Sequence, residues 1–114
     1  LQKKHMPFLR FRAMDAQKIA TQSTPLVDEL SELLGTPAEY FTLEVVASTF
    51  IKDGAITNGF PVVEITWFDR GAEKQQLTAN IITKHVAEMG YPEVDTVFML
   101  IERSKYYENG TALG

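Results

Sequence analysis

The chain has 114 residues, of which 45% are hydrophobic and 23% charged, which fits one ordinary globular domain and argues against a second independent core. Eleven Lys and Arg residues against 15 Asp and Glu residues give a net charge of -4, which argues against nucleic acid as a partner. Cysteine is absent, which excludes disulfides, thiolate metal sites and thiol nucleophiles, and no stretch approaches the ~20 apolar residues of a membrane span. We therefore expect a cytoplasmic protein without a thiolate metal site.

The first predicted elements are a strand at residues 7–12, a helix that ends at Gly35 and a strand at residues 41–50. Apolar residues recur at helical spacing before Gly35, and glycine suits the left-handed residue that follows a helix. Pro25 leaves two positions possible for the start of the first helix, because it can lie in the first turn of a short helix or inside a longer helix that begins near Asp15. We favour the longer helix, since Ile19 extends the apolar stripe.

The same order of elements recurs 55 residues later in the chain. Gly35 then falls on Gly90 and Pro37 on Pro92. This second copy predicts a strand at residues 61–68, a helix at residues 77–89 and a strand at residues 94–101, each strand rich in β-forming residues. Glycine-containing turns at residues 52–54 and 58–59 separate the copies, and Asn109-Gly110 predicts a short C-terminal hairpin.

Two successive βαβ units predict an α+β domain with a four-stranded mixed sheet, both helices on one face and a C-terminal hairpin. The strand and its return in each unit must be parallel, because a helical crossover joins them. Residues 43–47 and 97–101 are almost continuously apolar, which is typical of strands buried on both faces. With no third helix available, we expect another copy of the chain to cover the second face.

This order of elements, with Pro7 directly after Met6, resembles the tautomerase superfamily, which includes macrophage migration inhibitory factor and 4-oxalocrotonate tautomerase. The resemblance covers residues 7–113 and rests on the spacing of three segments, at residues 6–11, 35–40 and 107–111. It implies the fold of that superfamily, a homotrimer and a cofactor-independent keto-enol isomerisation, in which an N-terminal proline is the general base. Pro7 is the catalytic candidate.

The residues before Pro7 bear directly on that chemistry. Residues 1–5 are interpreted as the remnant of an expression tag and Met6 as the initiator methionine, which leaves residues 7–114 as a single domain. When the preceding residues stay attached, Pro7 has an amide nitrogen that cannot accept a proton. We therefore expect a chain that keeps these residues to be inactive.

The resemblance also implies a small carboxylate substrate, and hence a cation that faces Pro7. Arg70 is the first choice, since it follows the third strand of the sheet, where related decarboxylases hold substrate with an arginine, and a guanidinium can bind a carboxylate bidentately. The alternative for Arg70 is a solvated arginine in the turn between strand and helix. Arg103 is a weaker candidate, and Glu39 is a candidate acid or water-orienting group, with an exposed loop glutamate as the alternative. Aromatic walls are implied at six further positions, for which core or trimer packing is the alternative: Phe8, Tyr40, Trp67, Phe68, Phe98 and Tyr107.

The chain departs from the inhibitory-factor group at Thr36, Phe98 and Leu100, where that group has lysine, tyrosine and asparagine. Donors to the substrate oxygen are thus missing, and a phenylpyruvate-type activity does not follow from the resemblance. Two functions remain open. The first is a tautomerase, or a related decarboxylase or dehalogenase, and the second is a non-catalytic trimer that binds a small molecule or a protein.

Several charged residues receive structural predictions. Arg10 and Arg12 share one face of the first strand, and we expect them to form ion pairs between subunits. Glu44, Glu64 and Glu102 lie in apolar strands, where an unpaired carboxylate is costly, so each is expected to pair with an arginine. His85 lies at an apolar position of the second helix and is expected to be a core histidine.

Overall fold

The computed structural model describes residues 5–114. Two helices and eight strands confirm the predicted α+β class. The elements, in chain order, are β1 (Phe8–Arg12), α1 (Ala16–Leu34), β2 (Thr42–Val46), β3 (Phe50–Lys52), β4 (Ala55–Thr57), β5 (Val62–Trp67), α2 (Ala72–Glu88), β6 (Asp95–Leu100), β7 (Tyr107–Glu108) and β8 (Thr111–Ala112), with short 3-10 helices at Ala38–Tyr40 and Arg103–Lys105.

Helix α1 is the longer of the two predicted alternatives. The carboxylate of Asp15 accepts a hydrogen bond from the backbone N–H of Lys18 at 3.0 Å and so caps the first turn. Pro25 lies inside the helix, while Ile19 and Leu26 are buried on its inner side. At the other end Gly35 adopts the left-handed conformation predicted for it, with φ at 65°, and its N–H donates to the carbonyl of Ser31.

The main sheet has the strand order β2-β1-β5-β6. Strands β1 and β2 are parallel, β5 and β6 are parallel, and β1 and β5 are antiparallel, so the sheet consists of two βαβ units side by side. Both helices cover the same face, because one hydrophobic cluster joins the inner residues of the sheet to those of α1 and α2. This cluster includes Leu9, Phe11, Leu26, Ile65, Trp67, Ile82 and Val86.

The predicted strand at residues 41–50 is wrong in its second half. Strand β2 ends at Val46, and Phe50–Lys52 pairs with Ala55–Thr57 in a separate hairpin. The reason is the turn between β3 and β4, where Asp53 and Gly54 have φ values of 51° and 77°. Two successive residues with positive φ fold the chain back on itself, so β3 pairs with its neighbour in sequence and leaves the main sheet.

Helix α2 is longer than the prediction of residues 77–89, since it begins at Ala72 and ends at Glu88. His85 is buried at its inner side, as predicted, and both ring nitrogens face oxygens of α1. Nε2 lies 2.8 Å from Oε1 of Glu29, and Nδ1 lies 3.2 Å from Oε1 of Gln22. The histidine therefore joins the two helices through polar contacts.

The second face of the main sheet carries no helix. Arg10 pairs there with Glu44, with Nε 2.8 Å from Oε1, and Arg12 pairs with Glu64. These pairs confirm that Glu44 and Glu64 each pair with an arginine, because adjacent strands of one chain bring the partners into register. Ion pairs of these arginines between subunits stay a prediction. Glu102 contacts Lys105 at 3.6 Å, where an arginine had been predicted. Among residues 5–114, no helix is long and apolar enough to span a membrane.

Candidate active site at the edge of the sheet

The topology gathers four strand ends at one edge of the main sheet. Phe8 at the start of β1 is in register with Thr42 at the start of β2 and with Thr66 near the end of β5. Trp67 at the end of β5 is in register with Leu100 at the end of β6. Pro7 and the segments that follow β5 and β6 therefore lie at the same edge, although they are distant in sequence.

Pro7 is fully buried at this edge in the chain that includes Met6. Its carbonyl accepts a hydrogen bond of 3.1 Å from the N–H of Thr42, and the hydroxyl of Thr42 donates to the carbonyl of His5 at 3.2 Å. The segment before β1 is thus fastened to the start of β2. Met6 is buried as well, at 4% exposure.

Aromatic side chains pack around the end of β5. Trp67 is completely buried, and its ring centroid lies 5.0 Å from that of Phe98. Phe68 is also buried, and its ring lies edge-on to Tyr106 at 6.0 Å. The N–H of Ile101 donates to the carbonyl of Trp67 at 2.9 Å, so the pairing of β5 with β6 continues to this point.

Two arginines lie over these aromatic rings. The guanidinium carbon of Arg103 is 4.4 Å from the ring centroid of Phe68, and that of Arg70 is 5.8 Å from the ring centroid of Trp67. Both distances fall within the range of cation-π attraction. Cation-π attraction thus keeps both guanidinium groups at the end of β5, although their positive charges repel each other.

The electrostatics of Arg70 favour an anionic ligand. Burial lowers the pKa of the Arg70 guanidinium, and the positive charge of Arg103 lowers it further. The Nε atom of Arg70 is buried and has no hydrogen-bond partner among residues 5–114, and no described carboxylate lies within ion-pair distance of this side chain. A bound carboxylate would supply both the missing acceptor and the compensating charge.

The remaining candidates lie around this cluster or apart from it. Tyr40 is half-buried just before β2, and Glu39 beside it is exposed and lines a surface cavity of about 400 Å³ together with Asp28. Phe8 lies on the uncovered face of the sheet, below the guanidinium of Arg10 at 5.6 Å. Phe98 is a packing residue behind Trp67.

Tyr107 is 63% exposed on the C-terminal hairpin, and it is the neighbouring Tyr106 that contacts the aromatic cluster. Sequence reasoning missed Tyr106 and Met6. Strand β7 has only two residues, so the alternation of inward and outward side chains does not reveal which of Tyr106 and Tyr107 points inward. No sequence pattern predicts the burial of a residue ahead of the first strand.

Two further surface cavities do not include Pro7. The cavity of about 290 Å³ is lined by polar residues of α1 and by the end of α2, and the cavity of about 330 Å³ is lined by the segments before β5 and β6. Within the described part of the chain, no group of three or more His, Asp or Glu side chains is placed to hold a metal ion.

Comparison with known proteins decides the family. A family described as Domain of unknown function (DUF1904) matches residues 6–112, nearly the whole chain. The chain belongs to this DUF1904 family. A solved DUF1904 domain from Sebaldella termitidis is 33% identical to it, with a TM-score of 0.85, and the match covers 94% of this chain and 99% of that one.

More distant structures share the fold of this DUF1904 domain. A macrophage migration inhibitory factor homologue from Prochlorococcus marinus is 19% identical, with a TM-score of 0.74 and coverage of 95% and 100% of the two chains. An asymmetric trimer of wild-type fused 4-OT is 14% identical, with a TM-score of 0.79 and coverage of 94% and 96%. These neighbours belong to the tautomerase superfamily and confirm the predicted fold. No curated protein matches this sequence.

Proposed function

We propose that this DUF1904 domain is a cofactor-independent tautomerase, which interconverts the keto and enol forms of a small carboxylate with Pro7 as general base. The observation that carries the proposal is the placement of Pro7 at the sheet edge where Arg70 and Arg103 flank the end of β5. The fold shared with tautomerase-superfamily structures supports it.

Pro7 acquires a basic nitrogen only when it is the first residue of the chain. The family match begins at Met6, which supports Met6 as initiator and Pro7 as the first residue of the mature domain. Pro7 is buried, and a secondary amine in this position would lie at the same edge as two cations. Both influences disfavour the protonated form of an amine, so the nitrogen could accept a proton near neutral pH.

The reaction needs one proton to move between carbon and oxygen. The amine of Pro7 removes a proton from the carbon next to the keto group, the C–H electron pair forms the C=C bond, and the carbonyl electron pair moves to oxygen. The resulting ammonium returns the same proton to that oxygen, which gives the enol. Arg70 would hold the substrate carboxylate, and the charge of Arg103 would stabilise the enolate.

Hydrogen exchange with solvent tests this proposal without knowledge of the natural substrate. A chain that begins at Pro7 and the chain of residues 1–114 are each incubated with 2-oxobutanoate in D₂O, and proton NMR follows the loss of signal at carbon 3. We expect the Pro7-initiated chain to accelerate exchange about 10²-fold or more, which is typical of general base catalysis. The longer chain should not exceed buffer. Equal rates from the two chains would contradict the amine mechanism.

The alternative is a non-catalytic trimeric module that binds a small molecule or a protein. The complete burial of Pro7 favours this alternative for any chain that retains Met6. An acetylenic 2-oxo acid separates the two functions, because a nucleophilic amine adds to the activated triple bond. Mass spectrometry of the Pro7-initiated chain should find one adduct on the N-terminal residue if the protein is an enzyme, and none if it only binds.

A homotrimer is part of both alternatives. One face of the main sheet is uncovered in the single chain, and large apolar side chains are exposed on β6 and on the β3–β4 hairpin. Contiguous exposed apolar surface is typical of interaction sites. We propose that the uncovered faces of three copies meet, and that the edge with Pro7 then lies near a subunit boundary.

A further inference from the structure

Met6 and Phe68 are two buried apolar residues that lie outside the main core. Among the described residues, all other buried Leu, Ile, Val, Met, Phe and Trp side chains belong to the single cluster between sheet and helices. Met6 and Phe68 are 4% and 8% exposed but lie outside that cluster. A residue ahead of the first strand is normally solvated, so the burial of Met6 needs an explanation.

The register of the sheet places these two residues at the same edge. Strands β1 and β5 are neighbours and pair Phe8 with Thr66, so Met6, two residues before Phe8, and Phe68, two residues after Thr66, both lie just beyond this end of the pair. The N–H of Thr42 donates to the carbonyl of Pro7, and the N–H of Ile101 donates to the carbonyl of Trp67, so both segments stay bound to the sheet beyond their strands.

The surroundings of Phe68 suit an anion with an apolar tail. Arg103 lies over the Phe68 ring at 4.4 Å, and Tyr106 packs against the same ring. Arg70 follows two residues later with a buried, unpartnered Nε atom. Trp67 is fully buried, and its indole N–H also lacks a partner among residues 5–114. Buried aromatic rings are thus combined with unsatisfied donors and cationic side chains at one edge of the sheet.

We infer that Met6 packs beside Phe68 and fills the ligand recess of the site, and that the recess accepts the unbranched apolar chain of a carboxylate about as long as a methionine side chain. The inference deepens the proposed function, on which it rests, by naming the class of substrate: a small carboxylate with a linear aliphatic tail. Removal of Met6 then does two separate things, since it frees the Pro7 amine and empties the space beside Phe68.

Binding of simple fatty acids measures the recess directly. Trp67 is the one tryptophan of the chain, so its fluorescence and its single indole N–H resonance both report on this edge of the sheet. The probes are butanoate and hexanoate, with hexylamine as the charge control. In a chain that begins at Pro7, hexanoate should bind about tenfold or more tightly than butanoate, since each buried methylene contributes about fourfold in Kd. Hexylamine should not bind.

Two variants of the longer chain separate the recess from the amine. In residues 1–114 we expect hexanoate binding to be at least tenfold weaker than in the Pro7-initiated chain. Met6→Gly in the longer chain should restore the affinity to within about threefold, although Pro7 remains an amide. Met14→Gly is the matched control, because Met14 is also buried but belongs to the main core. It should restore nothing.

The outcomes distinguish this inference from the proposed function. Equal hexanoate affinity in the longer and the Pro7-initiated chains would overturn the inference, as would a folded Met6→Gly chain that fails to bind. If Met6→Gly does not fold by circular dichroism, Met6→Ala takes its place with the same expectation. If affinity rises with the length of the fatty acid but deuterium exchange is not accelerated, the recess is supported and the tautomerase activity is contradicted. If exchange is accelerated but affinity does not depend on that length, the tautomerase activity is supported and the recess is contradicted.

Discussion

Arg70 is a half-buried cation whose charge is not neutralised by any acidic side chain among residues 5–114. The Trp67 ring lies against its guanidinium, and burial lowers the pKa of Arg70, with a further contribution from the repulsion by Arg103. A protein gains no stability by holding two arginines near one another at a partly dehydrated place. The arrangement is understandable when an anion binds there, because one carboxylate relieves the repulsion and satisfies the buried Nε atom.

Arg70→Gln in the Pro7-initiated chain should therefore impair the reaction mainly through substrate binding. A charged hydrogen bond to a carboxylate contributes about 1.5–3 kcal/mol, so kcat/KM should fall roughly 10- to 150-fold, chiefly as a higher KM. Loss of the cation should also raise the pKa of the Pro7 amine and move the acidic limb of the pH–rate profile to higher pH. Initial rates between pH 5 and pH 9 provide both measurements.

Lys18→Gln is the control for that experiment, since Lys18 is an exposed cation on α1, on the helical side of the molecule. It should leave KM and the pH profile nearly unchanged. An Arg70→Gln variant with a normal KM and an unshifted profile would mean that Arg70 neither holds the carboxylate nor acts on the amine.

At the level of elements, the two helices are joined by a polar contact as well as by apolar packing. Hydrogen bonds from Lys84 and then from His85 lower the pKa of the Glu29 carboxyl, so the folded state favours its ionised form. The carboxylate on α1 thus satisfies a ring nitrogen of a buried histidine on α2. This contact therefore helps to fix the two helices relative to each other.

Glu29→Gln should consequently destabilise the protein in a pH-dependent manner. Because the pKa of Glu29 is lower in the folded than in the unfolded state, its contribution is present above the ordinary value of 4.5 and disappears as the pH falls through the folded value. The side chain is 38% exposed, which screens the interaction. We expect a loss of about 1 kcal/mol at pH 7 and almost none near pH 3, from urea unfolding at both pH values.

Glu32→Gln is the appropriate comparison, because Glu32 lies on the same helix, is exposed and forms no ion pair with another described residue. Its effect should stay within about 0.5 kcal/mol at both pH values. If the two variants behave alike, the contact between Glu29 and His85 does not stabilise the fold.

For the molecule as a whole, local signals in the sequence predicted most of the architecture. Gly35 and Gly90 mark the ends of the helices, and the Asp53-Gly54 turn lies where predicted, because positive φ values demand particular residues. The pairing of β3 with β4, outside the main sheet, was not predictable. β-forming residues indicate an extended chain but not the partner with which it pairs.

The site was predictable only in part, for a related reason. Arg70 and Arg103 are 33 residues apart, and only the parallel pairing of β5 with β6 brings their segments to one edge. The identity of Arg70 as a candidate came from a resemblance to related proteins. Its burial, its unpartnered Nε atom and the contact of Arg103 with Phe68 depend on packing that no single segment encodes.

The uncovered face of the sheet leads to a prediction about assembly. Large apolar side chains are exposed in the single chain at Ile51, Ile56 and Phe60 around the β3–β4 hairpin and at Val97, Met99 and Leu100 on β6. Burial of such surface drives association. We expect a mass of three chains by sedimentation equilibrium at micromolar concentration. Ile56→Glu combined with Met99→Glu should give one chain with unchanged circular dichroism, because both side chains are already exposed.

Leu77→Glu serves as the matched control for that variant, since Leu77 is also an exposed apolar residue but lies on α2, on the helical side of the molecule. Its mass should remain that of the trimer. The fluorescence titration with hexanoate adds a second reading, because a site near a subunit boundary should lose affinity in the dissociated variant and keep it in Leu77→Glu. A wild-type protein with the mass of one chain would contradict the proposed assembly, and full hexanoate affinity in the dissociated variant would show that the recess is complete within a single chain.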